Sequence, residues 1–342
     1  MKSKKQITLA DIAAKLKVSK VTVSKALRDH SDISAETKKK VNELVKEMGY
    51  TPNIIARNLS AKKTRTIGLV IPKINHHFFS EAIESIYATA HDMNYEIIMT
   101  LSRENEAEEL KHIRSLLAMR VDGLLISVTE NTKDTAIFQD IKNRGTPLIF
   151  FDRIIEKLGF NCIISDDEAG AFEIVNHAIN QGYTKIGHIG GYKNTNIGKA
   201  RCAGYTKAMK DATLEINPDF MTCGGFSVSD GYNGFMKMFK NNTLPEIIFA
   251  VTFPVALGVY KAAEEVGLSI PNDIDIISFG DASYNQFLNP SITGIHMPAT
   301  RIGKQAVELI IDQIEERTAI EEKKIIVPVT LNIGQTCIKK DK

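Results

Sequence analysis

The sequence is poor in cysteine, has no long apolar run and carries almost no net charge. Its 342 residues hold four cysteines, Cys162, Cys202, Cys223 and Cys337, with no CxxC and no paired spacing. That pattern argues against a disulfide framework and against a zinc site, and scattered thiols suit a reducing compartment. No stretch of about 18 apolar residues occurs, which excludes a conventional spanning helix. The opening MKSKKQITLADIAAKLKV is charged but lacks the roughly 7–15-residue apolar core of a secretory signal. A cytoplasmic protein is expected. Catalytic signatures are missing too: no GxGxxG follows the first strand pattern, and there is no P-loop lysine motif, GxSxG elbow or HExxH spacing. Neither an enzyme nor a cofactor nor a metal is expected, and His76, His77 and His188 read as structural or exposed.

The missing net charge conceals a division. The whole chain is +2, from 43 Lys/Arg against 41 Asp/Glu, yet residues 1–65 hold 16 Lys/Arg against 6 Asp/Glu, or +10. Subtraction leaves 27 against 35, or −8, for residues 66–342. A basic head on an acidic body points to nucleic acid or an anionic membrane surface as the partner of the head.

The head reads as three short helices. Thr8 with Asp11 forms a capping-box pattern before Leu9, Ile12, Ala13 and Leu16, which share one helical face. Ser19 can cap a second helix running through Leu27. A third starts near Ser34, carries Val41, Leu44, Val45 and Met48, and stops at Gly49. Residues 50–53 signal a turn, and Asn53–Ser60 is too short to be a stable helix alone.

From Ile67 the pattern becomes apolar strand alternating with amphipathic helix. Nine strands are expected, from Ile67–Pro72 to Lys324–Val329, with helices between most of them. This alternation implies parallel sheets of right-handed βαβ units. Nine strands fit two Rossmann-like lobes with a cleft between them better than one sheet. There is no internal repeat and no low-complexity stretch.

The first two helices follow the helix-turn-helix plan, in which the second enters the major groove. Thr22 and Ser24 offer hydroxyls to phosphates, and Lys20 and Lys25 can reach base acceptors such as guanine O6 and N7.

The stretch ITLADIAAKLKVSKVTVSKAL, followed by ISAETKKKVNELVKEMGYTPNIIARNL, resembles the head of the lactose/galactose repressor (LacI/GalR) family of bacterial transcription regulators. The likeness continues through IGLVIP, RVDGLLIS, PLIFFDR, ARCAGY and the Ser-Ile-Thr-Gly stretch near residue 291. It implies an α/β fold: an N-terminal all-α helix-turn-helix head, residues 1–50, a hinge helix or linker, 51–65, and a two-lobed type I periplasmic-binding-protein body, 66–342. The lobes are expected to be 66–164 with 296–323, and 165–292 with 324–336. The resemblance also implies a homodimer on a pseudo-palindromic operator, with a small effector, a carbohydrate or related metabolite, in the cleft. The alternative is a solute-binding protein without a DNA role, which the basic head argues against.

By position, Lys20, Val21 and Lys25 match the base-reading residues of the family, and Thr22, Ser24, Ser34 and Thr37 match its phosphate contacts. Val21 departs from the polar residues common there, but can pack on a thymine methyl. Asn53–Ser60 matches the hinge helix, with Leu59 as a minor-groove wedge and Arg57 contacting the backbone or narrow groove. In the body, Phe78 and Phe79 open a helix after the first strand, where open α/β sheets bind ligands. Asp152 and Arg153 end the strand PLIFF as a charge pair suited to hydroxyls. Arg201 matches the family's cleft arginine, whereas Asp166 or Asp167 reads as a helix cap. Two departures matter: Thr252-Phe253 stands where the family has Asn-Asp, and Gly280 stands where aspartate is common. Phe253 is then expected to stack on a ligand, and Asp281 to replace the lost carboxylate.

Overall fold

The computed structural model describes residues 7–27, 29–50, 63–280, 283–316 and 322–338. The chain forms two compact units, residues 1–64 and 65–342.

In the first unit, α1 spans Leu9–Leu16, α2 Lys20–Leu27 and α3 Ala35–Met48. The Thr8 backbone N–H donates to Asp11 Oδ2 at 2.8 Å, closing the expected capping box. Lys17 adopts φ 54°, so the chain leaves α1 in a left-handed turn. Ser19 Oγ then accepts from Thr22 N at 3.0 Å, restarting the helix one residue before α2. Ile12, Val23 and Val41, one from each helix, are fully buried together with Ala13, Ala26 and Leu44. At about 1.5–3 kcal/mol per fully buried aliphatic side chain, this small core is what holds three short helices together.

The second unit contains two six-stranded sheets. In the first lobe the elements are β1 (Thr66–Ile71), α4 (His77–Asp92), β2 (Glu96–Leu101), α5 (Glu106–Ala118), β3 (Gly123–Ile126), α6 (Ala136–Asn143), β4 (Leu148–Phe151) and β5 (Asn161–Ser165). The second lobe carries α7 (Asp167–Asn180), β6 (Ile186–Gly190), α8 (Asn196–Asp211), β7 (Met221–Cys223), α9 (Val228–Lys240), β8 (Ile247–Ala250), α10 (Phe253–Glu265), β9 (Asp275–Phe279) and β10 (Thr293–His296). The chain then returns through α11 (Ala299–Glu316), β11 (Lys324–Val327) and β12 (Thr330–Asn332). The sheet orders are β11-β5-β4-β3-β1-β2 and β12-β10-β9-β8-β6-β7. All pairings are parallel except β10 with β12. Strands β3, β4, β5, β6, β8 and β9 are buried along their whole length, as strands covered by helices on both faces must be.

Two expectations need correction. The expected strand Lys324–Val329 ends at Val327 and belongs to the first lobe, not the second: Lys324–Val327 pairs with Cys162–Ser165 in the first sheet, and only a further strand beyond it, Thr330–Asn332, joins the second. Pro328 stands at the break, where it has no N–H for a ladder and ends the pairing. The strands Met221–Cys223 and Thr293–His296 were also unexpected, being only three and four residues long. The chain therefore crosses between lobes three times, after β5, β10 and β11. These crossings line up the carboxyl ends of both sheets along one cleft, where an open α/β sheet binds ligands.

Close helix packing fixes one wall of that cleft. A Cβ on Gly258 of α10 would lie 2.0 Å from Val228 O of α9, and one on Gly231 would lie 2.0 Å from Val255 O. Only glycine lets the two helices cross this closely.

Candidate DNA-contacting and effector-binding sites

On α2, the expected reading face is open to solvent. Lys20 is exposed and Val21 is 62% exposed, while Val23 and Ala26 turn into the core. An exposed valine in so small a unit has no packing role to explain it, which suits contact with an apolar base edge. Lys25 is half-buried and its Nζ pairs with Asp32. That ammonium holds the Asp32 carboxyl below the usual range. Thr22 Oγ1 is 2.9 Å from Ser19 Oγ, and Ser34 Oγ accepts from Thr37 N at 3.3 Å as the N-cap of α3. Ser24 is half-buried on the same helix. The hydroxyls of Thr22, Ser34 and Thr37 therefore sit at helix starts, where backbone N–H groups also favour phosphate. Asn53, Arg57 and Leu59 lie outside the described residues, as does Asp281.

In the body, a cavity of about 710 Å³ lies between the lobes. The first lobe contributes Lys73, Asn75, His76, Phe79 and Arg153, and the second contributes residues from Phe226–Ser229, α9, α10 and Tyr284. Below it is a floor pocket of about 30 Å³ lined by Phe78, Phe79, Asp152, Arg153, Arg201, Phe279 and others. The first lobe's expected residues thus converge, but at two depths. Phe79 and Arg153 face the large cavity, whereas Phe78, Asp152 and Arg201 reach only the floor.

Arg153 is the hub of the first lobe's wall. Its Nη1 donates to both Glu104 oxygens at 2.8 and 2.9 Å, and Lys73 Nζ stands 3.2 Å from the same carboxylate. Although burial pushes the Glu104 carboxyl up, the Arg153 charge beside it brings the net shift below the usual range. Arg153 Nε is buried and has no partner. His76 Nδ1 is likewise buried without a partner, and burial with neighbouring cations pushes its imidazole down to about 3. His76 is therefore neutral at physiological pH.

Asp152 adopts φ 59°, in the left-handed region that aspartate tolerates better than most residues. Its carboxyl accepts from Ser127 Oγ at 3.3 Å, and burial pushes it up to about 6. Asn196, at the start of α8 in the other lobe, clamps the same turn: Nδ2 donates to Asp152 O at 2.9 Å and Oδ1 accepts from Ile154 N at 3.2 Å. Nothing in the local sequence pattern had marked Asn196.

Arg201 is 2% exposed and its donors are already engaged. Nε donates to Asp167 Oδ1 at 2.8 Å, Nη2 is 2.7 Å from the same atom, and Nη1 donates to Val251 O at 2.7 Å. The guanidinium lies 3.7 Å over the Phe279 ring. Of the two expected cap candidates, Asp166 caps α7 by accepting from Ala169 N at 3.2 Å, and Asp167 is the counterion of Arg201. Burial pushes the Asp167 carboxyl up, against the pull of Arg201.

Phe253 does not line either cavity. It is buried in the second lobe's core, and its ring meets Tyr284 edge-on at 5.4 Å, so Tyr284 is the aromatic that faces the ligand space. Thr252 Oγ1 donates to Phe226 O at 3.2 Å and accepts from Val255 N at 3.4 Å, a structural cap. Lys73, Asn75, His76, Phe226, Tyr232, Leu257, Lys261 and Tyr284 were missed. The strand-end rule that picked out Phe78 and Phe79 would have found Lys73, Asn75, His76, Phe226 and Tyr284, which follow β1, β7 and β9, if applied to every strand, whereas Tyr232, Leu257 and Lys261 lie inside α9 and α10.

The remaining histidine of interest, His188, is fully buried between Tyr205 and Phe249, with Nδ1 2.9 Å from Phe249 O. Burial pushes it down to about 4. Among the described residues no group of three metal-ligating side chains occurs, and no helix is long and apolar enough to cross a membrane.

Comparison with known proteins agrees with this geometry. Residues 8–53 match the model described as "Bacterial regulatory proteins, lacI family", and residues 64–334 match "Periplasmic binding proteins and sugar binding domain of LacI family". The chain is 31% identical over 321 residues to the HTH-type transcriptional repressor PurR of Pasteurella multocida (strain Pm70), covering 93% of this chain and 95% of that one. It is 30% identical over 318 residues to the repressor CytR of Escherichia coli (strain K12), covering 92% and 93%. In structure it is similar to a lac repressor dimer bound to operator and an anti-inducer, with a TM-score of 0.87 at 25% identity over 98% of this chain and 100% of that one.

Proposed function

From the premise that the chain belongs to the LacI family, as a transcriptional regulator with a helix-turn-helix DNA-binding head and an effector-binding body, we propose how its residues divide the work. Two copies bind a pseudo-palindromic operator in the cytoplasm, each placing α2 in one major-groove half-site. Lys20, Val21 and Lys25 read base edges, while Thr22, Ser24, Ser34 and Thr37 hold phosphates. Asn53, Arg57 and Leu59 engage the central minor groove. A small metabolite, a carbohydrate or a relative of one, binds between the lobes on Phe79 and Arg153, above a floor that includes Phe78, Asp152 and Arg201. Binding changes how the lobes sit on each other and so changes operator affinity. The chain performs no catalysis.

The observation that carries this reading is that one chain joins a head of net +10, whose α2 face is open, to a body of net −8 with a two-walled cavity of about 710 Å³. The head draws the phosphates of DNA, and the net charge of the body gives it no general attraction for a DNA duplex.

The test is operator selection from random duplexes, followed by anisotropy titration of selected and scrambled DNA at fixed salt. The full chain is expected to prefer the selected site by about 10³-fold or more. Lys25→Ala is expected to cost roughly 1–3 kcal/mol on that site and to flatten the preference. Equal affinity for selected and scrambled DNA would remove the reading.

A further inference from the structure

The donor and acceptor inventory of the cleft narrows the class of its ligand. Lys73 and Arg153 face the large cavity from the first lobe and Lys261 faces it from the second, whereas among the described residues Glu265 is the one carboxylate in the lining. Glu265 is exposed at the rim and already accepts from the Tyr232 hydroxyl at 2.9 Å. Glu104, just outside the lining, is consumed by Arg153, by Lys73 and by the Glu130 backbone N–H at 3.0 Å. Among the described residues Lys261 makes no ion pair; its Nζ lies 5.8 Å from the Tyr232 ring. The described lining carries three cations against one carboxylate, with Glu104 behind it as the counterion of Arg153 and Lys73. The cleft is thus locally positive inside a body whose net charge is −8.

Among the described residues that line the cavity, two buried side-chain atoms have no hydrogen-bond partner, Arg153 Nε and His76 Nδ1. Arg153 is 5% exposed, and Nε can only donate. A neutral polyol brings a hydroxyl proton for every oxygen and is held best where charged acceptors receive several of them, as the resemblance implies for the family positions filled here by Phe253 and Gly280. An oxyanion brings acceptors only, and so matches a wall that offers cations and an orphan donor. The other surfaces are apolar and aromatic: Phe79, Phe226, Leu257 and Tyr284.

We infer that the ligand of the cleft is an organic oxyanion, a carboxylate or a phosphate ester with an apolar or aromatic body, whose charge meets Arg153 and Lys73 on one lobe and Lys261 on the other. This rests on the cleft being the effector site. An anion held by both walls draws the lobes together, which ties the ligand's charge to closure.

The test uses the full chain and matched probes in thermal shift and calorimetry: phenyl phosphate, benzoate and phenyl β-glucoside, then glucose 6-phosphate, gluconate and glucose, with inorganic phosphate as the charge-only control. The anionic member of a series is expected to bind at least tenfold tighter than its neutral counterpart, and the phosphate and carboxylate arms tell which oxyanion is preferred. Lys261 is exposed on α10, so Lys261→Gln leaves the fold intact; it is expected to weaken the anion at least fivefold and leave the neutral probe unchanged. Neutral probes binding as tightly as the anions overturn the inference while the effector site stands. Inorganic phosphate matching phenyl phosphate removes the aromatic body from it. Failure of every probe to bind or stabilise overturns the inference and counts against the cleft as an effector site too.

Discussion

Arg201→Met removes the charge at the floor of the cleft while keeping most of the side-chain volume. Its expected consequence is set by what Arg201 touches. Asp167 is 3% exposed and has the Arg201 guanidinium at 2.7–2.8 Å, so the variant leaves a carboxylate buried without its counterion. Val251 O also loses its donor at 2.7 Å. Breaking a buried pair from one side costs about 3–5 kcal/mol, most of it the penalty of the orphaned charge. At roughly 2–4 °C per kcal/mol for a body of this size, the melting temperature is expected to fall by roughly 6–20 °C. Burial already pushes the Asp167 carboxyl up, and without Arg201 only the weaker pull of the Ser165 hydroxyl opposes that push. The orphan therefore takes a proton as pH falls, and the deficit against the parent is expected to shrink from pH 8 to pH 5. Arg201→Met with Asp167→Leu removes both charges and is expected to recover most of the loss. Calorimetry of the three variants at both pH values is the assay. A single variant that loses less than about 1 kcal/mol, or a double variant no better than additive, refutes the view of Arg201 as a structural partner of Asp167.

Other perturbations address separate features. Glu109 is fully buried, accepts from Thr129 N and Thr132 Oγ1 at 2.7 Å each, and is pushed up to about 7 by burial. Its folded form binds a proton that the unfolded form has released, so stability is fullest below the ordinary carboxyl range and is lost as pH rises through about 7, by up to about 3 kcal/mol. Glu109→Gln is expected to flatten the stability profile between pH 5 and pH 7 in urea titrations, and an unchanged slope would contradict this. Asn196→Ala deletes two hydrogen bonds between the lobes and is expected to lower the urea midpoint by the equivalent of about 1–3 kcal/mol; an unchanged midpoint shows that the clamp contributes nothing. Gly258→Ala forces a Cβ to within 2.0 Å of Val228 O, and is expected to destabilise by roughly 1–3 kcal/mol and to move Val228 and Ser229 in the cavity wall. Thermal melting at parental temperature would show that α9 gives way freely.

Much of the architecture was legible because its signals are local. The Thr8 and Asp11 box, the Ser19 and Ser34 caps and the stop at Gly49 each depend on a few neighbouring residues. The alternation of apolar strand and amphipathic helix is likewise written within windows of about a dozen residues. What escaped depends on residues far apart in the chain. That Asp167 is the counterion of Arg201 was not legible, because the two lie 34 residues apart and only the α7–α8 packing joins them. Phe253 read as a stacking face, but α10 turns it into the core and leaves Tyr284 on the surface of the cavity. Residues 324–327 read as part of the second lobe, yet an eventual partner for them exists only where β5 presents its free edge. Asn196 and Lys261 carry no local motif at all, and they matter because three crossings bring the two lobes face to face.

The central claim is that occupancy of the cleft changes how the head binds DNA. Its most direct test is the operator affinity of the full chain, by anisotropy at fixed salt, without ligand and with a saturating ligand identified by thermal shift. Coupling of the usual size, about 1–3 kcal/mol, predicts a change of roughly 5–150-fold in one direction, with a reciprocal change in ligand affinity on adding operator. Operator affinity that is the same with the cleft empty and full would contradict the account.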